Sequence, residues 1–217
     1  MSRTYFENVY RTGSDVWSHI PYHQEIAQYI DSMPGEHPYI LELGVGRALS
    51  LLPLKNTRHK LFGIDTNPQV IRETKEQIRK EKIKNIGVVE ASADEIPFTD
   101  EAFDLVSDGG IFTYLSDEEI FRVVKEVERV IKPNGFFLHI GYSIKTTSLY
   151  GYRPRKDELQ SQEFIKFGVP HRIFSEHFLK NRFLKHFDQV FHEERTYDSR
   201  TDPGEQLVLN FIGYQRK

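Results

Sequence analysis

Short apolar runs alternate with longer segments of helical periodicity along most of the chain. The first run, 39–43, lies between a Pro-Gly pair and a glycine-rich turn, which is typical of a buried strand. Four later runs share this character: 61–64, 86–89, 103–106 and 136–140. Because helical segments separate most of these strands, the pattern predicts a parallel sheet that is covered by helices on both faces.

Capping residues mark where several of the intervening helices begin. Asn67 precedes Pro68, and a side-chain cap followed by proline at the first helical position favours a helix start. Ser116 and Glu119 have the spacing of a capping box. Pro53 should kink or shorten the helix in which it lies. The predicted helices are 21–33, 47–55, 68–82, 117–131 and 176–185.

Two longer predicted strands, at about 188–197 and 206–214, close the chain with no helix between them. We therefore expect a C-terminal hairpin that places one antiparallel strand at or near the sheet edge. The segment 142–174 has no regular pattern and is rich in Tyr, Arg and Phe. The predicted fold class is α/β, with a doubly wound, seven-stranded and mostly parallel sheet.

The length of 217 residues favours a single domain with decorations. With 29 Lys and Arg against 32 Asp and Glu, the net charge of −3 gives no general attraction to nucleic acid or to an anionic membrane. The absence of cysteine excludes disulfides, thiolate metal sites and cysteine nucleophiles. No apolar stretch approaches the roughly 20 residues of a membrane span, and the first residues do not resemble a signal peptide. We expect a soluble, cytoplasmic protein.

The segment E-L-G-V-G-R-A, 42–48, lies where the first strand ends. Glycines at such a turn let the backbone bend sharply and approach a ligand, and free amide groups beyond it can bind a carboxylate or phosphate. Asp65 ends the second strand, where its carboxylate can accept hydrogen bonds from a ribose diol. The two features together suit an adenosine-containing ligand. Leu49 stands where the dinucleotide-binding fingerprint requires a third small residue, so that fingerprint is not met.

Ligands of open parallel sheets bind beyond the carboxyl ends of the strands, where the strand order reverses. Three loops should meet there: 44–47, 65–67 and 107–110. Asp108 lies in the third loop and is therefore a further candidate for contact with the ligand.

With these features the chain resembles the class I S-adenosylmethionine-dependent methyltransferases. E-L-G-V-G-R-A resembles the first motif of that family, and G-I-D-T-N-P at 63–68 resembles the second. A-S-A-D-E-I-P-F at 91–98 is similar to the adenine loop, and V-I-K-P-N-G-F-F at 130–137 to the turn into the fifth strand. The likeness covers about residues 37–141 in detail and the last strands in outline, and it implies a Rossmann-like sheet.

The resemblance implies a role for each matched position near the glycine turn. The backbone at Gly44 and Gly46 would hold the methionine portion of S-adenosyl-L-methionine. Glu42 would orient the loop or meet the cofactor's amino group, directly or through water. Asp65 would bind the ribose hydroxyls, and Thr66 would pack beside the adenine.

The adenine loop departs from the family pattern at one position. Ala93 would offer its backbone N–H to the adenine ring. Ser92 stands where an acid usually meets the adenine amino group. Either Ser92 makes that contact, or a shifted loop brings Asp94 to it.

A general base is needed only if the acceptor's nucleophile arrives protonated. Many small-molecule methyltransferases carry histidine after the fourth strand, whereas this chain reads S-D-G-G-I-F-T-Y at 107–114. The remaining candidates for the base are Tyr114, His139 and Tyr142. His139 has a second interpretation, as a hydrogen-bonded histidine of the core.

Two groups of charged or ligating residues have simpler interpretations. His19 and His23 have a metal-binding spacing, but Pro21 between them disfavours a continuous helix, so we expect no metal site. The basic cluster at 153–156 is either a solvated loop or a contact for an acidic substrate.

The N-terminal segment is unusually aromatic for its polarity. Four aromatic residues precede the first predicted helix: Tyr5, Phe6, Tyr10 and Trp17. We interpret residues 1–36 as a lid on the cofactor pocket, with Tyr10 and Trp17 in contact with the cofactor. Ordinary packing of the segment is the alternative. The segment 142–174 would be an insert that caps the substrate within the methyltransferase domain, 37–217.

The resulting hypothesis is methyl transfer from S-adenosyl-L-methionine to a small-molecule acceptor. The alternatives are a tRNA or protein methyltransferase, a protein that binds the cofactor without catalysis, and a nicotinamide-dependent oxidoreductase. The Asn/Asp-Pro-Pro-Tyr signature of amine-specific nucleic-acid methyltransferases is missing, and cytosine C5 methylation lacks its cysteine. We therefore expect a small-molecule partner, no membrane partner and no nucleic acid, with a homodimer left open.

Overall fold

A computed structural model of the protein describes residues 3–149, 151–153, 161–199 and 202–217. These residues form five α-helices, which are α1 (Arg3–Thr12), α2 (Tyr22–Asp31), α3 (Pro68–Lys80), α4 (Asp117–Val130) and α5 (Glu176–Arg182). They also form nine strands, which are β1 (Tyr39–Leu43), β2 (Lys60–Asp65), β3 (Ile86–Glu90), β4 (Phe103–Asp108), β5 (Ile131–Tyr142), β6 (Ser161–Lys166), β7 (Val169–Phe174), β8 (Phe187–Asp198) and β9 (Gln206–Arg216).

Seven strands form the main sheet in the order β3-β2-β1-β4-β5-β9-β8. Strand β1 pairs in parallel with both β2 and β4, so the strand order reverses between β1 and β4. Strand β9 runs antiparallel to both β5 and β8. The α/β class, the seven strands, the switch point and the antiparallel strand next to the edge are thereby confirmed.

The alternation of side chains along β1 divides the core into two layers, because successive residues of a strand point to opposite faces. Ile40 packs in one layer with Ile26 and Ile30 of α2. Leu41 and Leu43 pack in the other layer, whose helical side is α4. Glu42 therefore points toward the face that α2 covers, although its side chain is charged in water.

The predicted helix caps are present. The Asn67 side chain accepts hydrogen bonds from the amides of Gln69 and Val70 at 2.9 and 3.2 Å. Ser116 and Glu119 form the capping box of α4, with both of its hydrogen bonds made. These caps fix where α3 and α4 begin, and therefore fix the loops at the carboxyl ends of β2 and β4.

Two expectations about secondary structure were wrong. Segment 47–55 is not an α-helix but a series of turns with a single 3-10 turn, Leu52–Leu54, since Ala48 is left-handed (φ 55°) and Pro53 lacks an amide hydrogen. Segment 142–174 contains the hairpin β6–β7, whose strand β6 is largely exposed and so has no alternating apolar pattern. The segment before residue 21 contains α1, whose side chains Val9 and Tyr10 are buried.

Among the described residues, no helix combines the length and apolarity needed to cross a bilayer.

Candidate active site

A cavity of about 400 Å³ lies at the carboxyl ends of β1, β2 and β4. All three loops predicted to meet there contribute to its wall: 44–47, 65–67 and 109–110. The opposite wall comes from the N-terminal segment, through Phe6, Tyr10 and Trp17. The cavity thus lies at the reversal of strand order, and α1 and the turn after it lie across it.

The glycine turn has the backbone conformation that only glycine adopts without strain. Gly44 and Gly46 have φ values of 68° and 50°. A Cβ atom on Gly44 would lie 2.2 Å from Cγ2 of Ile111, and one on Gly46 would lie 2.7 Å from the Tyr10 hydroxyl. The requirement for glycine therefore already arises from neighbouring protein atoms, before any ligand approaches.

Asp65 is tied to the loops on both sides of the switch point. Its Oδ1 accepts a hydrogen bond from the Asn67 amide at 2.8 Å, and its Oδ2 accepts one from the Gly46 amide at 3.0 Å. Burial raises the pKa of Asp65, while these amide bonds oppose that rise. A carboxylate has about four lone-pair sites, so Asp65 keeps acceptor capacity for a hydroxyl group in the cavity.

Glu42 lies beneath the glycine turn and is only 2% exposed. Its Oε1 lies in a 2.5 Å hydrogen bond with the Ser50 hydroxyl, whereas its buried Oε2 has no hydrogen-bond partner among the described residues. Burial raises the pKa of Glu42 to about 8, and the charges of Asp108 and Asp65 contribute to the rise against the effect of Ser50. A buried, unpartnered carboxyl oxygen at a cavity wall fits a cationic amino group.

The adenine-loop residues line the cavity next to Thr66. The Ser92 hydroxyl donates to Oδ1 of Asp94 at 2.5 Å, and Arg122 Nε donates to Oδ2 at 3.0 Å. The bond from Ser92, together with Arg122, lowers the pKa of Asp94 despite partial burial. Ser92, Ala93 and Asp94 all lie on the wall, so both candidates for the adenine amino group remain in reach.

Asp108 and His139 are not brought to the cavity wall. His139 Nδ1 lies 2.8 Å from Oδ2 of Asp108, and both side chains are at most 1% exposed. Oδ1 of Asp108 accepts from the amides of Gly110 and Ile111 at 2.9 and 2.7 Å. The pair therefore supports the turn that lines the cavity, and the core interpretation of His139 is the one that its surroundings match.

The other two candidate bases, Tyr114 and Tyr142, do line the cavity. Tyr114 also contacts the N-terminal aromatic residues, with ring centroids 5.2 Å from Phe6 and 6.5 Å from Trp17. The Trp17 indole donates to the Tyr10 hydroxyl at 3.4 Å. The rings of Phe6, Tyr10, Trp17 and Tyr114 contact one another and form an aromatic wall of the cavity.

Arg47 joins the glycine turn to the N-terminal segment. Its guanidinium lies 3.3 Å from Oδ2 of the buried Asp15, donates to the Tyr10 carbonyl at 3.2 Å and pairs with Glu73 at 2.9 Å. The same guanidinium lies 5.5 Å from the centre of the Tyr10 ring. One side chain next to the glycines thus fixes the segment that covers them.

The sequence analysis gave no role at this cavity to three polar residues near Glu42: Tyr22, His23 and Ser50. Tyr22 and His23 line the cavity from the first turn of α2. Burial raises the pKa of the Tyr22 phenol, whose hydroxyl lies 3.5 Å from the Gly109 carbonyl, and burial lowers the pKa of His23 to about 4. The sequence signal that could have identified Tyr22 and His23 is their polarity, which is unusual for positions directly after Pro21 on a helix with a buried face.

The pair of His19 and His23 is divided, because His23 lies on the cavity wall and His19 does not. His19 is exposed, and within the described ranges no group of three or more His, Cys, Asp or Glu side chains has a geometry able to hold a metal. Arg153 pairs with Glu205 at 2.6 Å. Arg155 and Lys156 lie outside the described residues.

The residues present fit the cofactor that the motifs imply. Oε2 of Glu42 is available for an amino group, and Asp65 has lone pairs for a diol. The adenine loop completes one continuous wall with them.

Residues 40–135 match the family model described as a methyltransferase domain. The demethylmenaquinone methyltransferase of Alkalihalophilus pseudofirmus is 27% identical over 139 residues, which cover 60% of this chain and 57% of that protein. An uncharacterized methyltransferase of Schizosaccharomyces pombe is 35% identical over 98 residues, which cover 44% of this chain and 36% of that protein. The chain spans about half the length of the curated relatives it matches.

Two solved structures extend the likeness to the fold. The 1,6-didemethyltoxoflavin-N1-methyltransferase of Burkholderia thailandensis, solved with 1,6-didemethyltoxoflavin and S-adenosylhomocysteine, has a TM-score of 0.76 at 16% identity, covering 99% of this chain and 87% of that one. A methyltransferase of Methanosarcina mazei has a TM-score of 0.70 at 22% identity, covering 87% and 96%. Residues 40–135 are therefore similar to a methyltransferase domain, and the chain has the fold of the class I S-adenosylmethionine-dependent methyltransferases.

Proposed function

We propose that this protein transfers a methyl group from S-adenosyl-L-methionine to a small-molecule acceptor. The observation that carries the proposal is the placement of Glu42 and Asp65 on one cavity wall, beneath a glycine turn at the switch point of the sheet. The carboxyl group of Glu42 suits an amino group, and that of Asp65 suits a diol. The cofactor has an amino group on its methionine portion and a diol on its ribose.

The chain's residues bind and orient the cofactor. Glu42 Oε2 accepts a hydrogen bond from the amino group, and Asp65 accepts from the ribose hydroxyls. Ser92 or Asp94 meets the adenine amino group, and Ala93 offers its backbone N–H to the ring. When bound, the cofactor supplies the activated methyl group, so the protein's task is alignment of the acceptor.

The aromatic wall supports an acceptor with a flat or apolar ring. Four aromatic side chains line the cavity: Phe6, Trp17, Tyr114 and Tyr142. One of the compared proteins is named for demethylmenaquinone and another for 1,6-didemethyltoxoflavin. Tyr114 and Tyr142 are the candidates for receiving a proton from an acceptor that arrives protonated.

The N-terminal segment, 1–36, acts as a lid in this proposal. It covers the cavity through aromatic side chains and is fixed to the glycine turn by Arg47. A closed lid excludes water from the sulfonium and holds the acceptor in line. The segment 142–174 completes the cover, since Phe167 at the tip of the β6–β7 hairpin stacks on Tyr5 with ring centroids 5.9 Å apart.

Two measurements on one preparation test the proposed function. Calorimetric titration with S-adenosylhomocysteine, with NAD as the control ligand, tests the cofactor. Transfer of labelled methyl groups from the cofactor to a pooled metabolite extract, compared with tRNA and protein fractions, tests the acceptor class. We expect the protein to bind S-adenosylhomocysteine but not NAD, and we expect the label to appear in the metabolite fraction. Label in tRNA or protein, or binding without any transfer, would select one of the alternatives instead.

A further inference from the structure

A chain of hydrogen-bonding groups leads from Glu42 to the N-terminal segment. The Ser50 hydroxyl lies 2.5 Å from Oε1 of Glu42 and 3.4 Å from Nδ1 of His23. Nε2 of the same imidazole lies 3.2 Å from the carbonyl oxygen of Trp17. The proposed function gives no role to Ser50 or His23, although His23 lies on the cavity wall.

The chemistry of these groups limits where the hydrogen atoms can be. A carbonyl oxygen only accepts, so Nε2 of His23 carries a hydrogen and, in the neutral ring, Nδ1 is an acceptor. Ser50 has one hydrogen to donate, and Nδ1 needs it. The short contact between Ser50 and Glu42 is then satisfied only if Glu42 is the donor, that is, a neutral carboxylic acid. Burial of Glu42, which raises its pKa to about 8, agrees with this arrangement.

Ionised Glu42 demands the reverse arrangement. Ser50 then donates its hydrogen to the carboxylate and turns its lone pairs toward Nδ1 of His23. That contact is a hydrogen bond only if Nδ1 carries a hydrogen too, which makes the ring an imidazolium. Ionisation of Glu42 and protonation of His23 are therefore the two ends of one proton shift along three hydrogen-bonded side chains.

We propose that a cationic amino group arriving at Oε2 of Glu42 drives the Glu42 proton through Ser50 to His23, and that the imidazolium so formed holds the N-terminal segment closed. The proposal rests on the placement of the cofactor's amino group given above. The O–H bond of Glu42 breaks, Ser50 takes that proton, and Ser50 gives its own to Nδ1. No proton enters or leaves the site.

The surrounding charges act on both ends of the relay. Asp65 and Asp108 are the acidic groups that face Glu42, and both favour its neutral form in the empty cavity. The Tyr22 ring packs on His23 with centroids 4.1 Å apart, and burial lowers the pKa of His23 to about 4. The empty cavity therefore keeps the proton on Glu42, and a cation at hydrogen-bond distance from Oε2 favours the ionised form of Glu42.

The shift has a mechanical consequence at Trp17. A hydrogen bond donated by a charged group is roughly twice as strong as one between neutral groups. Protonation of His23 thus strengthens its hold on the Trp17 carbonyl and on the aromatic wall that Trp17 belongs to. Cofactor binding and lid closure then favour each other, and the coupling is reciprocal.

Proton counting by calorimetry tests the relay. Titration of S-adenosylhomocysteine at pH 7 in two buffers of different ionisation enthalpy measures the protons released on binding. We expect release near zero for the wild-type protein, and release of about one proton for Ser50→Ala and for His23→Gln, because the Glu42 proton then has to leave the site. Glutamine retains a donor for Trp17 and an acceptor for Ser50. His19→Gln, an exposed histidine on the same segment, is the matched control and should behave as wild type.

A second readout observes His23 itself. With isotope-labelled histidine, NMR should report a neutral ring protonated at Nε2 in the free protein and an imidazolium in the complex. Release of about one proton by the wild-type protein, or a neutral His23 in the complex, overturns the relay while leaving the proposed function intact. Failure of S-adenosylhomocysteine to bind overturns both.

Discussion

The backbone amide of Gly46 donates a 3.0 Å hydrogen bond to Asp65 and so joins the turn after β1 to the end of β2. The two residues belong to different motifs, 19 positions apart. Because Asp65 also accepts from the Asn67 amide, its carboxylate is already oriented in the empty cavity. A preoriented acceptor loses little freedom when a ligand binds.

Substitution of Asp65 by alanine should weaken binding of S-adenosylhomocysteine at least about tenfold. Hydrogen bonds to a charged acceptor contribute roughly 1.5–3 kcal/mol each, and the ribose would lose such bonds. Calorimetric titration measures the change. Asp100→Ala is the control, since that carboxylate is exposed and pairs with Arg129 on the surface. Equal affinities for the two variants would contradict the proposed position of the ribose.

Glu42 should make the empty protein less stable as the pH rises. Burial raises its pKa from 4.5 to about 8, so between these values the folded state holds a proton that the unfolded state has lost. The free energy of unfolding that Glu42 contributes is fully present below pH 4.5 and is lost as the pH rises toward about 8. The loss is on the order of a few kcal/mol.

Melting temperatures measured from pH 5 to pH 8 test this prediction. Glu42→Gln should flatten the decline, whereas Glu36→Gln should not, since Glu36 is almost fully exposed. A decline that persists unchanged in Glu42→Gln would show that another group causes it.

His139→Gln should lower stability without changing how methyl transfer depends on pH. The imidazole and Asp108 are buried together, and loss of a buried hydrogen bond costs roughly 1–3 kcal/mol. The variant's melting temperature and its kcat at several pH values are the measurements. A shifted pH profile would instead identify His139 as the general base, reached through a rearrangement of the turn at 109–111.

Asp15→Asn should loosen the N-terminal segment. Asp15 is 2% exposed and faces the Arg47 guanidinium at 3.3 Å, so removing its charge weakens the link between lid and glycine turn. We expect proteolysis within residues 1–20 to accelerate by about fivefold or more, as loss of about 1 kcal/mol of closure implies.

Limited proteolysis with and without S-adenosylhomocysteine measures this effect, and the emission of Trp17 reports the same segment. Asp188→Asn, which removes an exposed pair with Lys217, is the control. If both variants were cut at the wild-type rate, Arg47 would not be what holds the segment in place.

The sequence alone specified the features whose signals are local. The strand patterns predicted all seven strands of the main sheet, and Asn67 and Ser116 marked where two helices begin, because caps and strand periodicity depend on near neighbours. Order along the chain then predicted the switch point and the three loops around it. The periodicity of segment 47–55 predicts a helix, but the left-handed backbone of Ala48 prevents one, and periodicity does not show backbone angles.

Tertiary structure decided the features that join distant parts of the chain. Nothing near His139 in sequence indicates that Asp108 holds it away from the cavity, and nothing near Ile111 indicates that it excludes a side chain on Gly44. The lining by Tyr22 and His23 likewise depends on how α2 packs against β1. The burial of Glu42, which sets its protonation, results from that packing. A sequence shows that a carboxyl group is present but not how far it is removed from solvent.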